Sequence, residues 1–416
     1  MDLKLQQSKI VNLQSLIKIT GSKSETNRLL LLQALYPNLS LENTSNSDDS
    51  EVMLKALQNS QLATRNSQLI DVQHAGTAMR FLTAFFAIQD GKEVVLTGSS
   101  RMKERPIKIL VEALIQLGAE ITYEENEGFP PIRIKGKKII RNKVSLLANV
   151  SSQYISALLL IAPKLEKGLE LTLEGEIISI PYINMTLALL NEIGVETSFI
   201  GNKITVCHAE LVSTSRLTVE SDWSSASYWY SIVALSEIGF QVTLSSYKKN
   251  SLQGDSALIE IYKDFGIETI FNNDNSITIS KERVHNSQLS THNSQLNNSP
   301  DIAQTIAVTS FGLGVGCDLY GLHTLKIKET DRLEALKNEL SKLGAVLTVT
   351  NESLHLKPST HINENIAINT YQDHRMAMAF APLALKVPIR INEAEVVSKS
   401  YPDFWEDLEK FVILVR

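Results

Sequence analysis

Cysteine is almost missing from this chain. Cys207 and Cys317 are the only two in 416 residues. They lie far apart and form no ligand cluster, so both are expected as buried thiols in a reducing cytoplasm. An excess of positive charge is missing too. Lys and Arg total 40 against 46 Asp and Glu, a formal net charge of −6, which argues against a basic face tracking a nucleic-acid backbone. No apolar run approaches the roughly 18 residues of a membrane span. The start, Met1-Asp2-Leu3-Lys4-Leu5-Gln6, has no apolar stretch of the kind a secretion signal needs.

What is present is a set of local cation clusters. Lys and Arg stand beside small or hydroxyl residues in Gly21-Ser22-Lys23-Ser24-Glu25-Thr26-Asn27-Arg28, Ala75-Gly76-Thr77-Ala78-Met79-Arg80, Arg101-Met102-Lys103-Glu104-Arg105-Pro106, Lys328-Glu329-Thr330-Asp331-Arg332 and Asp373-His374-Arg375. Cations gathered in motifs on an acidic protein suggest a site for small, multiply charged anions.

The length suggests two or three domains, and an apolar fraction of 43% is ample for packed cores. One pattern recurs: a helix, a Gly turn and a β-branched strand. It spans 113–122, 189–197, 262–269 and 340–347, with Gly118, Gly194, Gly266 and Gly344 as helix C-caps. A second helix type alternates with it, polar at the start and then apolar almost all round: 24–35, 76–88, 151–162, 224–235, 301–313 and 373–385. A helix apolar on every side is a buried one. The reading is six copies of one α/β unit, three per domain. The cation motifs open the buried helices, whose N-termini offer free N–H groups and about half a positive charge.

One stretch departs from this order. Asn-Ser-Gln-Leu occurs at 59–62, 66–69, 286–289 and 293–296, and the region 284–300 is polar and without periodicity. It is expected as surface loop insertion.

Taken together, the cation motifs, Ser151-Ser152-Gln153, Asp373-His374-Arg375-Met376-Ala377-Met378 and Lys399-Ser400-Tyr401-Pro402-Asp403 resemble, in order and over nearly the whole chain, the enolpyruvyl transferases, and within them the branch that acts on 3-phosphoshikimate. The resemblance implies two inside-out α/β domains of three repeated units, with buried helices and outer sheets. It places 1–20 and 222–416 in one domain, 21–221 in the other, and the active site in the cleft between them. It implies transfer of the enolpyruvyl group of phosphoenolpyruvate to the 5-hydroxyl of 3-phosphoshikimate through a tetrahedral intermediate, with phosphate leaving. No metal or organic cofactor is implied, and no nucleic-acid or membrane partner; the protein is expected as a cytoplasmic monomer.

Carried over position by position, Lys23 touches both substrates. Ser24, Arg28, Ser151, Ser152, Gln153, Ser179, Tyr182, Asp301, Thr324 and Lys328 face 3-phosphoshikimate. Gly76, Arg105, Gln153, Glu329, Arg332, Arg375 and Lys399 face phosphoenolpyruvate. Planar Arg forks suit carboxylate and phosphate. Asp301 matches the acceptor of the 5-hydroxyl proton and Glu329 the group that handles the proton at C3. By residue type alone, Asp301 is equally a helix N-cap, and Glu329 equally an ion-pair partner of Lys328 or Arg332. Arg80 reads as scaffold, and Asp222 as a hinge or cap residue.

Three positions depart from the family pattern: His74 where Asn is usual, Phe81 where Pro is common, and Thr324 where some members have a substrate-contacting Asn. Gly76 and Ser-Ser-Gln match glyphosate-sensitive members, so sensitivity is expected, opposed by Phe81 if it tilts its helix. The rival readings are an enolpyruvyl transferase acting on UDP-N-acetylglucosamine, which usually uses a mobile-loop Cys, and a non-catalytic anion-binding homologue.

Overall fold

The structure, a computed structural model, describes residues 1–6, 14–62, 68–148, 151–177, 180–210, 215–284 and 290–415. The chain forms two compact units, one of Met1–Gly21 with Glu220–Arg416 and one of Ser22–Val219. In the first, Gly21 and Ser221 pair where the chain leaves and returns.

Within Ser22–Val219, the helices Lys23–Leu35, Gly76–Ala87 and Ser152–Ile161 pack on one another. Beyond their polar first turns they are largely apolar, and Leu31, Leu32, Ala78, Phe81, Leu82, Leu158 and Leu160 are fully buried. In the other unit, Trp223–Leu235, Ala303–Leu313 and His374–Phe380 pack in the same way. Every residue of Trp223–Leu235 except Ser224 is buried. Burial on all sides removes the apolar surface of six helices from water, the main favourable term in folding.

Six sheets are described, five of them four-stranded with one shared pattern of parallel and antiparallel pairing. In the sheet Gln68–Asp71, Glu93–Thr97, Ile132–Lys135, Glu120–Tyr123, the first strand runs parallel to the second across the buried helix Gly76–Ala87. The second is antiparallel to its next neighbour, which closes a hairpin with the fourth. Alternation sets the register: Glu93–Thr97 turns Val94 and Leu96 inward. The sheet Ile366–Ile368, Ile389–Ile391, Leu3–Gln6, Ile413–Val415 has the same pairing pattern, but its last two strands come from opposite ends of the chain and form no hairpin. The sixth sheet pairs Leu39–Glu42 with Ser215–Thr218 in parallel. Among the described residues it has no hairpin, because the helix Asp48–Leu62 is followed within a few residues by the next unit's strand Gln68–Asp71.

The Gly turns stand where expected. Gly118 ends Lys108–Leu117 with φ 110°, and Gly344 follows Arg332–Lys342 with φ 98°; a side chain disfavours that left-handed backbone. The third copy differs: its helix is one turn, Leu258–Ile261, ahead of Gly266.

Two expectations are corrected. Residues 284–300 are not all surface loop: Thr291–Gln295 is a strand parallel to Gly316–Tyr320, with His292 and Leu296 buried. Its polar letters conceal it because His292 is satisfied on both ring nitrogens, by Asp264 at 2.9 Å and Ser294 at 2.6 Å. The tetrapeptide 286–289 lies outside the described residues. Cys317 is buried as expected, in Gly316–Tyr320, where burial pushes its thiol up to about 12, but Cys207 is exposed. No helix among the described residues is long and apolar enough to cross a membrane.

Candidate active site

Within Ser22–Val219, three buried helices begin beside charged or amide side chains. Lys23 opens the first, and its Nζ lies 3.4 Å from Asp49 Oδ2 in the first turn of Asp48–Leu62. His74 Nε2 is 3.7 Å from the other oxygen of that carboxylate. Gly76 opens the second helix, and the Arg105 guanidinium lies directly against it. A Cβ built on Gly76 would stand 2.5 Å from Arg105 Nη1 and 2.9 Å from its Cζ. Ser151 caps the third helix through Gln153 N, and Gln153 Nε2 donates to Thr77 Oγ1 at 3.2 Å. Lys23, His74, Asp49 and the pair Gly76–Arg105 are thus tied to helix starts, where backbone N–H groups add positive potential.

Arg28 is more deeply placed. It is 3% exposed and donates to Thr186 Oγ1, Ser24 O, Ser156 Oγ and the Tyr182 carbonyl. Burial draws its pKa down to about 10. Phe81 lies 5.5 Å beneath the guanidinium, so the residue that departs from the family pattern packs on Arg28 inside an unbroken helix Gly76–Ala87. Arg80 is scaffold: it donates to the carbonyls of Gly76 and Pro106, joining the helix to the Arg105 segment.

The second cluster lies in the other unit. Arg332, 1% exposed, donates to three carboxylates: Nε to Asp373 at 2.6 Å, Nη1 to Asp301 at 2.8 Å and Nη2 to Glu329 at 2.7 Å. Lys328 Nζ stands 3.4 Å and Arg375 Nη2 3.5 Å from Asp301. Burial opposes ionisation of Asp301. Lys328, Arg375 and Arg332 together outweigh it and hold the carboxyl well below its usual range. The segment Asp331-Arg332 is fixed because Asp331 caps its helix through Leu333 N and Glu334 N.

Lys399 docks on the Gln372 carbonyl at 2.8 Å, just ahead of the helix that carries Arg375. The Thr324 hydroxyl is buried with no hydrogen-bond partner among the described residues. Ser179 lies outside the described residues.

Sequence reasoning missed Asp373. It is fully buried, holds Arg332 through one oxygen and accepts from Arg375 N at 2.8 Å through the other. It stands in the Asp373-His374-Arg375 motif, but an Asp before a buried helix reads as a cap, which gives it no role of its own. Asp222, weighed as a hinge or cap residue, caps Trp223–Leu235 through Ser225 N.

Two clusters rich in Lys and Arg, each gathered about helix starts, accompany a match to the model of the family described as EPSP synthase (3-phosphoshikimate 1-carboxyvinyltransferase) over residues 7–408. The chain belongs to the EPSP synthase family. It is 44% identical over 402 residues to a 3-phosphoshikimate 1-carboxyvinyltransferase of Bacteroides fragilis, covering 96% of this chain and 95% of that protein. It is 35% identical over 425 residues to the protein of that name from Shewanella pealeana, covering 96% and 97%. The fold matches an EPSP synthase structure from Acinetobacter baumannii with a TM-score of 0.80 at 20% identity, over the full length of both chains.

Proposed function

We propose that this chain transfers the enolpyruvyl group of phosphoenolpyruvate to the 5-hydroxyl of 3-phosphoshikimate, releasing phosphate. The observation that carries the reading is a single carboxylate, Asp301, set among Lys328, Arg332 and Arg375 within 3.5 Å, in a chain of this family. The substrates together bring two phosphates and two carboxylates, and cations fixed before substrate arrives need little reorganisation during the reaction.

The arrangement also explains how a carboxylate held so far below its usual range can act as a base. Lys328, Arg332 and Arg375 stabilise its charge while no substrate anion shares them. Substrate phosphate and carboxylate neutralise the same cations, which raises the proton affinity of Asp301 when a hydroxyl is there to be deprotonated. In this reading Glu329, paired with Arg332 and partly exposed, handles the proton that C3 takes up. Lys23, held by Asp49, spans both substrates in this reading. The test is phosphate release from phosphoenolpyruvate, measured with 3-phosphoshikimate and then with UDP-N-acetylglucosamine. Release with the first alone supports the proposal; release with the second alone overturns it.

Gly76 gives a sharper result. Because a methyl there would displace the Arg105 guanidinium, Gly76→Ala is expected to raise KM for phosphoenolpyruvate about tenfold, the loss of roughly one charge-assisted hydrogen bond. KM for 3-phosphoshikimate should change less than about twofold. Steady-state kinetics with each substrate varied in turn checks this; an equal rise in both would place Arg105 elsewhere.

A further inference from the structure

Asp255 lies outside every motif that marks the site, yet it is buried at 7% exposure in the turn Gly254–Ala257. Ser224 Oγ donates to its Oδ2. The same hydroxyl accepts from Arg375 Nη2 at 3.2 Å. On its other side, Arg375 donates through Nη1 to the Asp301 carbonyl at 3.3 Å. The guanidinium is therefore gripped from two directions, by Asp301 and by the hydroxyl that Asp255 orients. The turn itself is pinned: Gln253 Oε1 accepts from Trp223 N at 2.9 Å and Gln253 Nε2 donates to Ser221 O at 3.0 Å. Ser224 is the one residue of Trp223–Leu235 that is not buried, so the helix presents a hydroxyl where the rest of its surface is packed away.

We propose that Asp255 is a positioning residue for the transfer reaction, acting through the Ser224 hydroxyl to fix the fork of Arg375 for phosphoenolpyruvate. The inference rests on the functional reading above. A hydroxyl that donates to a carboxylate is polarised and becomes a better acceptor, so the chain Arg375 to Ser224 to Asp255 is stronger than its links taken singly. The charged groups facing Asp255 are Asp301 and Asp222, which repel it, and Arg375, which attracts it. Burial first and Asp301 second push its carboxyl up to about 7. Its grip on Arg375 is then full above that pH and weakens as the carboxyl takes up a proton below it.

The test is a double-mutant cycle on the full chain with Ser224→Ala and Asp255→Asn, and Ser224→Thr as the variant that keeps the hydroxyl. Each of the first two should raise KM for phosphoenolpyruvate about tenfold, the loss of one charge-assisted bond. KM for 3-phosphoshikimate should stay within about twofold. The double variant should be no worse than the poorer single one, because both remove one chain. Wild-type KM for phosphoenolpyruvate should climb on the acid side of about pH 7 relative to Asp255→Asn; titration of the substrate's own phosphate is common to both and cancels in the ratio. Multiplicative effects, an equal rise in both KM values, or a pH ratio that stays flat would overturn the proposal. If Asp255→Asn does not fold, the pair Ser224→Ala and Ser224→Thr decides it alone: equal KM values would sink the inference. A wild type that releases no phosphate with 3-phosphoshikimate would sink the functional reading and this inference with it, whereas an active wild type with unaltered variants would sink only the inference.

Discussion

Asp301→Asn should lower kcat by about 10²–10⁴, the usual contribution of a positioned general acid or base, without weakening phosphoenolpyruvate binding. Asn keeps the size of the side chain and an oxygen that can accept from Arg332, now 2.8 Å away. It loses the charge and the ability to take a proton. The two roles open to Asp301 make opposite predictions for affinity. If it only organises its cations, its loss should loosen Arg332 and Arg375 and raise KM. If it is the base, its charge competes with substrate for those same cations, so removing it should leave KM unchanged or lower while the chemical step collapses. Single-turnover measurement separates the step from product release. A kcat within about threefold of wild type, or a large rise in KM at constant kcat, would assign Asp301 to scaffolding.

The same ambiguity shows what could be read from the sequence. The six buried helices were legible because their apolar letters run all round, and the copies because Gly118, Gly194 and Gly344 each follow a helix with a positive φ that favours Gly. The cations were legible as types. Their partners were not. Arg332 carries the same letter whether it waits for a ligand or is shared by three carboxylates, and nothing near Asp255 in sequence announces Arg375, 120 positions later. Repeated letters misled for a related reason. Asn-Ser-Gln-Leu closes the helix Asp48–Leu62 in one place and, at 293–296, runs from the strand Thr291–Gln295 into buried Leu296 in another. Each copy takes the structure of its packing partners, which override local propensity in short segments.

Arg332→Met should be the most destabilising single change in either cluster. The guanidinium is 1% exposed, and Asp373, which it meets at 2.6 Å, is fully buried. Removing it strips three carboxylates of their common counter-charge. Breaking a buried pair in this way typically costs about 3–5 kcal/mol, far more than the pair contributes relative to an apolar replacement. For a unit of this size that corresponds to a fall in melting temperature of about 10 °C. Denaturant unfolding followed by intrinsic fluorescence should show the loss in the unit that holds all three Trp residues, Trp223, Trp229 and Trp405, while the unit Ser22–Val219 holds none. The pH dependence has a definite sign. The folded-state carboxyl of Asp301 lies below its unfolded value because three cations, Arg332 among them, outweigh burial. Its stabilising contribution is therefore present above about pH 4, the ordinary value for Asp, and is lost as the pH falls through the depressed value. The variant lacks one of those cations, so the gap between the two proteins should be widest at neutral pH and close on acidification below about pH 4. A gap that is small at neutral pH would mean that Lys328 and Arg375 alone balance the carboxylates. A gap that widens in acid would mean that the stability of this cluster does not come from ionised Asp301.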